Sequence, residues 1–193
     1  MMTRTRNTAA AALLAGALLL AGCGSGGDGH DDHPLDEGGP ADSSLTTPPP
    51  PPLPGAFAGV DQNDPESVMV GAAQALFSYA PAEDANQLAA AQRAAPLFDE
   101  RYYSENSGSF IALAPITGKQ WQSWADEGAI VTASASVTSD EHPADQPAKV
   151  SRVLAVTQTA TTPEGKPLSS TTFAAYMSAT KLGVWRVSAV AVR

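Results

Sequence analysis

The single cysteine of this 193-residue chain is the side chain whose position most strongly indicates chemistry. Cys23 follows residues 9–21, a run of alanine and leucine interrupted by one glycine, and Arg4 and Arg6 precede that run. A basic start, a short apolar segment and small residues before a cleavage point are the parts of an export signal. The segment is too short, and has the wrong flanking residues, to be a membrane-spanning helix. We therefore expect the chain to be exported.

The tetrapeptide Leu20-Ala21-Gly22-Cys23 resembles the lipobox of bacterial lipoproteins. The resemblance implies that residues 1–22 are a signal peptide, that cleavage falls between Gly22 and Cys23, and that the Cys23 thiol carries diacylglycerol. It also implies a protein anchored by lipid to the extracytoplasmic face of the cell membrane. Several acyl chains, which palmitate analogues would label, are needed because one chain binds a membrane only marginally. The alternative is a plain secretory signal followed by a chance cysteine.

The charge balance argues against nucleic-acid binding. Acidic residues outnumber lysine and arginine by 20 to 11, which gives a formal net charge of −9. Removal of residues 1–22 takes away two arginines and no acid, so the mature charge becomes −11. Nucleic acids and anionic lipid surfaces are bound by clustered basic residues. We therefore expect no nucleic-acid partner and a membrane contact made through the covalent lipid.

Residues 23–63 differ in composition from the rest of the mature chain. They are rich in glycine, aspartate, serine and proline and contain neither lysine nor arginine. Such a segment buries too little apolar surface to offset the entropy of ordering, so we predict a lipidated, disordered stalk. The proline run at residues 48–52 favours a semi-rigid polyproline II spacer. A proline-rich ligand for an aromatic-lined groove is the alternative.

The three histidines do not indicate an assigned metal site or active site. His30-Asp31-Asp32-His33 contains residue types that bind Zn²⁺, but it lies in the predicted stalk, where ordering on binding would weaken affinity. His142 lies in Asp140-Glu141-His142-Pro143, a predicted surface turn. The chain has no phosphate-binding glycine loop, nucleophile elbow or His-Glu-x-x-His sequence. We therefore assign no catalytic residue, metal or cofactor.

Residues 64–193 predict an α+β domain that begins with helices. Pro81 is expected to end the first helix, and the polar residues 104–109 are expected to form a loop. The expected helix starts are Asp64 as an N-cap, Asp84 as an N-cap, Pro96 in a first turn and Thr117 as an N-cap.

After Gly128 the apolar residues recur every second position, which is typical of half-buried strands. Short turn-forming segments separate the apolar runs, so the pattern predicts a curved antiparallel sheet of about four strands, with the helices on one face. The predicted strands are residues 129–138, 150–161, 170–180 and 184–192.

The order of these elements resembles the cone-shaped nuclear transport factor 2-like fold over about residues 65–193. The segments that carry the resemblance are Asp84-Ala85-Asn86, Arg93-Ala94-Ala95-Pro96-Leu97, Trp121-Gln122-Ser123-Trp124 and Val184-Trp185-Arg186-Val187. Similar spacing occurs in assembly factors of conjugation and type IV secretion machines. Those factors usually keep a transmembrane helix, whereas this chain would use a lipid.

Cone-shaped folds of this kind often enclose a pocket between sheet and helices, so the resemblance also implies candidate pocket residues. Asp99 and Asp126 are the candidate polar groups, and Asp99-Glu100-Arg101 is either an acid/base group or a solvated ion-paired helix face. The alternative, which we favour, is that the aromatic rings fill the core. The candidate lining residues are Tyr79, Tyr102, Tyr103, Phe110, Trp121 and Trp185.

Taken as a sequence, the chain is expected to be a non-enzymatic interaction or assembly module of the bacterial envelope. The resemblance extends this expectation to an accessory role in a conjugation or secretion system. The alternative is a small-ligand-binding protein, or a small acid/base enzyme, with a pocket. A third reading is a cell-surface spacer or antigen.

Overall fold

The sheet of the folded domain consists of four antiparallel strands that pair in the order in which they occur along the chain. The computed structural model describes residues 50–193. Cys23, the signal peptide at residues 1–22, His30, His33 and residues 23–49 of the predicted stalk lie outside the described residues. The strands are β1 (Ile130–Val137), β2 (Lys149–Thr161), β3 (Pro167–Leu182) and β4 (Val184–Val192).

One face of the sheet is apolar because alternate residues of each strand point to the same side. Leu154 and Val156 of β2 and Ala175 of β3 are fully buried on that side. Register shifts at Ala160/Thr161 and Ser178/Ala179 interrupt the pairing, and such bulges bend a strand. The turn between β3 and β4 needs Gly183, whose φ of 82° is in the left-handed region.

Four helices pack against this apolar face, which confirms the predicted α+β class. Thr117 caps the fourth helix as predicted, because its hydroxyl accepts a hydrogen bond from the N–H of Gln120. Asp64 likewise caps the first helix through the N–H of Glu66. The helices are α1 (Pro65–Leu76), α2 (Leu88–Ala94), α3 (Glu100–Asn106) and α4 (Gly118–Asp126).

Helix α1 ends five residues before Pro81, so the predicted end was wrong. The chain leaves the helix because Tyr79 pairs with Val131 at the start of β1, with two N–H to O distances of 2.9 Å. This pairing fixes where α1 meets the sheet.

The predicted cap of the second helix was also wrong. Asp84 lies before α2 and accepts hydrogen bonds from the N–H of Ala80 and from Arg93. Asn86 accepts the N–H of Leu88, the first residue of the helix. Asp84 thus pairs with Arg93 instead of capping α2.

The third helix begins later than Pro96 and extends into the predicted loop. Pro96 lies in a short 3-10 turn, and the helix begins after Asp99, whose carboxylate accepts the N–H of Tyr102. Residues 104–109 are not a loop, because α3 runs to Asn106 and a 3-10 helix, Ser107–Ala112, follows it. The polar residues lie on the exposed side of these turns.

Residues 50–63 belong to the folded unit rather than to a stalk, which corrects the predicted boundary at Asp64. Phe57 is buried in the core, and Leu53 and Val60 pack against it. Gln62 accepts a hydrogen bond from the N–H of Trp185 in β4. The glycine-rich and proline-rich composition concealed these few apolar anchors.

Candidate functional site

An open groove of about 880 Å³ lies between α1 and the outer edge of β1. Val70 and Ala75 of α1 and Val60 of the preceding segment form part of its apolar lining, and Ile130 contributes a half-exposed side chain. Polar groups line the same groove, among them Gln74, Ser78, Asp84 and Arg93. An apolar concavity with a few polar groups is the usual form of a binding site for a small molecule or a peptide.

Gly71 allows α1 to lie close to the segment before it at this groove. A Cβ at this position would stand 2.7 Å from Cγ2 of Val60, so no larger side chain fits without a shift. Because valine is branched at Cβ and stiff about χ1, its methyl group cannot simply swing away. The groove therefore depends on the contact between Gly71 and Val60.

Three charged residues line the groove. Asp84 and Arg93 neutralise each other, and the third, Glu83, is exposed. Arg93 donates to both carboxylate oxygens of Asp84, at 2.6 and 2.8 Å, and also to the carbonyl of Ser78. Burial by itself would raise the pKa of Asp84, but the hydrogen bonds from Arg93 and Ala80 lower it overall. The pair fixes the loop between α1 and α2.

Tyr79 is the only one of the four residues Tyr79, Tyr102, Trp121 and Trp185 that lines this groove. Burial raises the pKa of its phenol well above the ordinary value, and Gln158 and Arg93 offset only part of that effect. The phenol is therefore protonated at neutral pH. A protonated phenol whose residue is only 3 % exposed cannot act as a general base there.

The other predicted pocket residues lie in separate places. Trp121 packs edge-on against Tyr79, with ring centroids 5.4 Å apart. Tyr102 stacks on Phe98, and its hydroxyl accepts the N–H of Val190 in β4. Trp185 is buried beneath the ammonium group of Lys181. The structure thus brings Tyr79 and Trp121 together, and it does not gather the four residues around one cavity.

The remaining aromatic and acidic candidates also have structural partners. Tyr103 and Phe110 pack edge-on with ring centroids 6.1 Å apart, and both contact Phe98. Asp99 caps α3, and Asp126 is exposed and accepts a hydrogen bond from Gln122 one helical turn away. No two of these carboxylates face a shared cavity in the described part of the chain.

Arg152 carries the largest charge cluster of the described domain, and sequence reasoning missed it. Its side chain is 11 % exposed and lies on the helix-facing side of β2, where it donates to Glu66 of α1 and to Asp145. His142 lies 3.3 Å from the same guanidinium, in the exposed loop that was predicted for it. An arginine at a core-facing position of a strand was the signal, because a charge in such a position needs hydrogen-bonded partners of opposite charge.

The two edges of the sheet differ in how well they are covered. The edge of β4 is covered by main-chain or hydroxyl groups of Gln62, Asp99 and Tyr102. The edge of β1 is covered only at its start, by Tyr79 and Ser78.

Beyond Ala133, the main chain of β1 has no hydrogen-bond partner on its outer side among residues 50–193. The main-chain N–H and C=O groups of Val131 point away from β2. Successive residues of a strand direct these groups to opposite sides, so those of Ala135 and Val137 also point away from β2. The sequence alone does not reveal this open edge, because it depends on where other segments pass.

Two further observations bear on the type of site. Among residues 50–193, no three His, Cys, Asp or Glu side chains come together as metal ligands. No helix in the same range is long and apolar enough to cross a membrane.

Comparison of the chain with protein-family models, with curated proteins and with solved structures finds no match.

Proposed function

We propose that this chain is a lipid-anchored protein of the extracytoplasmic face of the cell membrane, and that its α+β domain binds another envelope protein without catalysing a reaction. The observation that carries the proposal is Cys23 directly after Leu20-Ala21-Gly22, at the end of an apolar run with a basic start. A diacylglyceryl group at that thiol would hold the mature protein on the membrane.

The described domain offers a surface for a protein partner. The face of the sheet opposite the helices carries small hydroxyl and methyl side chains around the exposed Tyr176. Thr157 and Thr172 pair through their hydroxyls on this face, at 2.8 Å.

Two of the ionisable groups at the groove, Asp84 and Tyr79, are poorly suited to acid/base chemistry. Asp84 is paired with Arg93, and Tyr79 keeps its proton at neutral pH. A general base needs a pKa near the working pH and a free position next to the substrate. Neither group meets both conditions.

We also propose that residues 23–49 act as a spacer between the lipid and the domain. Their composition, rich in glycine, aspartate, serine and proline, supports this role. The resemblance to the nuclear transport factor 2-like fold and to secretion assembly factors supports an accessory role in a conjugation or secretion system. Strings such as Trp121-Gln122-Ser123-Trp124 carry that resemblance.

The test has two parts, which examine the anchor and the partner separately. Cys23→Ala should remove labelling by palmitate analogues and release the protein from the membrane fraction, whereas Ser25→Ala, the control, should change neither. Cross-linking of intact cells followed by purification of the wild-type chain should then recover a defined envelope protein. Unchanged membrane partitioning of Cys23→Ala contradicts the anchor, and recovery of no protein above background contradicts the interaction role.

The size of the groove supports a second candidate function, the binding of a small apolar ligand. Its volume of about 880 Å³ falls in the usual range for ligand pockets. Fluorescence of 1-anilinonaphthalene-8-sulfonate should rise on binding, and Gln74→Trp, which fills the groove, should abolish the rise. Gln92→Trp, on the exposed side of α2, is the matched control. Equal fluorescence in both variants would exclude this groove as the site.

A further inference from the structure

We propose that a second copy of this chain pairs antiparallel with the open edge of β1, with Ser136 of each copy on the two-fold axis. The two sheets would then join into one continuous eight-stranded sheet. The pairing uses one surface of the domain, and it does not require the lipid anchor.

The free main-chain groups set the register of this pairing. Ala135 and Val137 point their N–H and C=O groups outward, and no described residue bonds them. With Ser136 opposite Ser136, the N–H of Ala135 meets the carbonyl of Val137 in the second copy, and the reverse bond closes the same ring. The two-fold axis repeats this ring, so four hydrogen bonds form.

The chemistry of β1 favours a second copy as the occupant. The strand has no charged residue from Ile130 to Val137, so the paired strands themselves bring no like charges together, although the chain has a net charge of −9. Lysine, proline and bulges protect most exposed edges, and β1 pairs with β2 without any of them. Ser134 and Ser136 are small and exposed, so they leave room for a second strand. A two-fold contact of this kind is self-complementary and closes after two copies.

The contact should be weak in dilute solution. The free energy gained from four main-chain hydrogen bonds is small compared with the free-energy cost of the translational and rotational freedom lost on association. Copies held on one membrane have a much higher effective concentration, so pairing should increase there. This increase, unlike the pairing itself, rests on the proposed function.

Disulfide cross-linking of the full chain tests the register. In a non-hydrogen-bonded antiparallel pair the Cα atoms are about 4.5 Å apart, which suits a disulfide. Ser136→Cys should therefore give a covalent dimer on oxidation with copper phenanthroline, at least fivefold more than Ser134→Cys. The Cα atoms at position 134 of the two copies would be offset by four residues, or about 13 Å along the strands. The wild-type chain, with Cys23 as its one cysteine, measures the background.

A second variant separates strand pairing from simple proximity. Ala135→Pro removes an outward N–H, which β2 does not use, so the fold should persist while the Ser136→Cys cross-link falls to background. Circular dichroism checks the fold. Equal cross-linking at positions 134 and 136, or a cross-link unaffected by Ala135→Pro, would overturn the proposal. So would an absence of dimer, an intrachain bond to Cys23, or a cross-link only to another protein.

The same oxidation, carried out on the detergent-solubilised chain at high concentration, tests the β1 pairing independently of membrane anchoring. A Ser136→Cys dimer in detergent, together with a wild-type chain missing from the membrane fraction, would support the pairing and contradict the anchor. Membrane association without a dimer in either setting would contradict the pairing alone.

Discussion

Arg152 of β2 donates a hydrogen bond from Nε to Oε1 of Glu66 in the first turn of α1, at 2.7 Å, across 86 residues of sequence. The same guanidinium donates through both terminal nitrogens to Asp145, at 2.6 and 2.8 Å. One side chain thus joins the sheet, the first helix and the loop between β1 and β2. Its charge is fully paired although it lies on the core-facing side of a strand.

Arg152→Met should lower the free energy of unfolding by about 1.5–3 kcal/mol, because it removes hydrogen bonds between charged groups. The loss stays moderate because Glu66 and Asp145 are each nearly half exposed and water can solvate them. Urea unfolding measures the change. The matched control is Arg101→Met, which removes an exposed helix-surface pair with Glu105 and should leave the free energy of unfolding nearly unchanged. Equal losses in the two variants would contradict the role assigned to Arg152.

The Arg93–Asp84 pair should make stability fall in acid. Because the folded-state pKa of Asp84 is lowered, its contribution is complete above the unfolded pKa of about 3.9 and is lost as the pH falls further. Asp84→Asn should therefore be less stable than wild type at neutral pH, and the difference should shrink by pH 3. Urea unfolding at both pH values checks this, with Asp126→Asn as the exposed control. A difference that is the same at both pH values would contradict the pairing.

Gly71→Ala should destabilise the domain by about 1–3 kcal/mol, because the new methyl group overlaps Val60 in a packed site. In a Val60→Ala background the overlap disappears. The same change should there be neutral or stabilise by up to about 1 kcal/mol, the helix preference of alanine over glycine. A double-mutant cycle by urea unfolding measures the coupling. Additive effects would show that Gly71 and Val60 do not constrain each other.

Phe57→Ala tests whether residues 50–63 belong to the folded unit. Phe57 is 9 % exposed and packs in the core, so its truncation should cost about 3–5 kcal/mol. Pro50→Ala, at an exposed position of the same segment, should have little effect. Thermal unfolding compares the two variants. If Phe57→Ala were as stable as wild type, the segment would be a stalk after all.

The sequence predicted the α+β class because its apolar residues change from helical spacing to alternation after Gly128. That change is local, and so are the caps at Asp64 and Thr117, which the structure confirms. Long-range contacts decided the rest. Helix α1 ends where it does because Tyr79 pairs with Val131, 52 positions later, and no local pattern contains that information.

The groove and the open strand edge were beyond sequence reasoning for a similar reason. Phe57 and Val60 lie in a segment whose average composition indicates disorder, and only the folded chain shows what they contact. In sequence, Ala135 and Val137 do not differ from the other apolar residues of β1. Their outward main-chain groups are unpaired among the described residues because the segment at Tyr79 pairs with β1 only near Val131. Trp185 is buried, as expected if its ring fills the core.

Mass spectrometry of the N-terminal peptide from the native, membrane-purified protein tests the central claim most directly. We expect the mature chain to begin at Cys23 and to carry a diacylglyceryl group, with further acylation, on that residue. An intact leader, or a free thiol at Cys23, would contradict the proposed anchor and with it the proposed location.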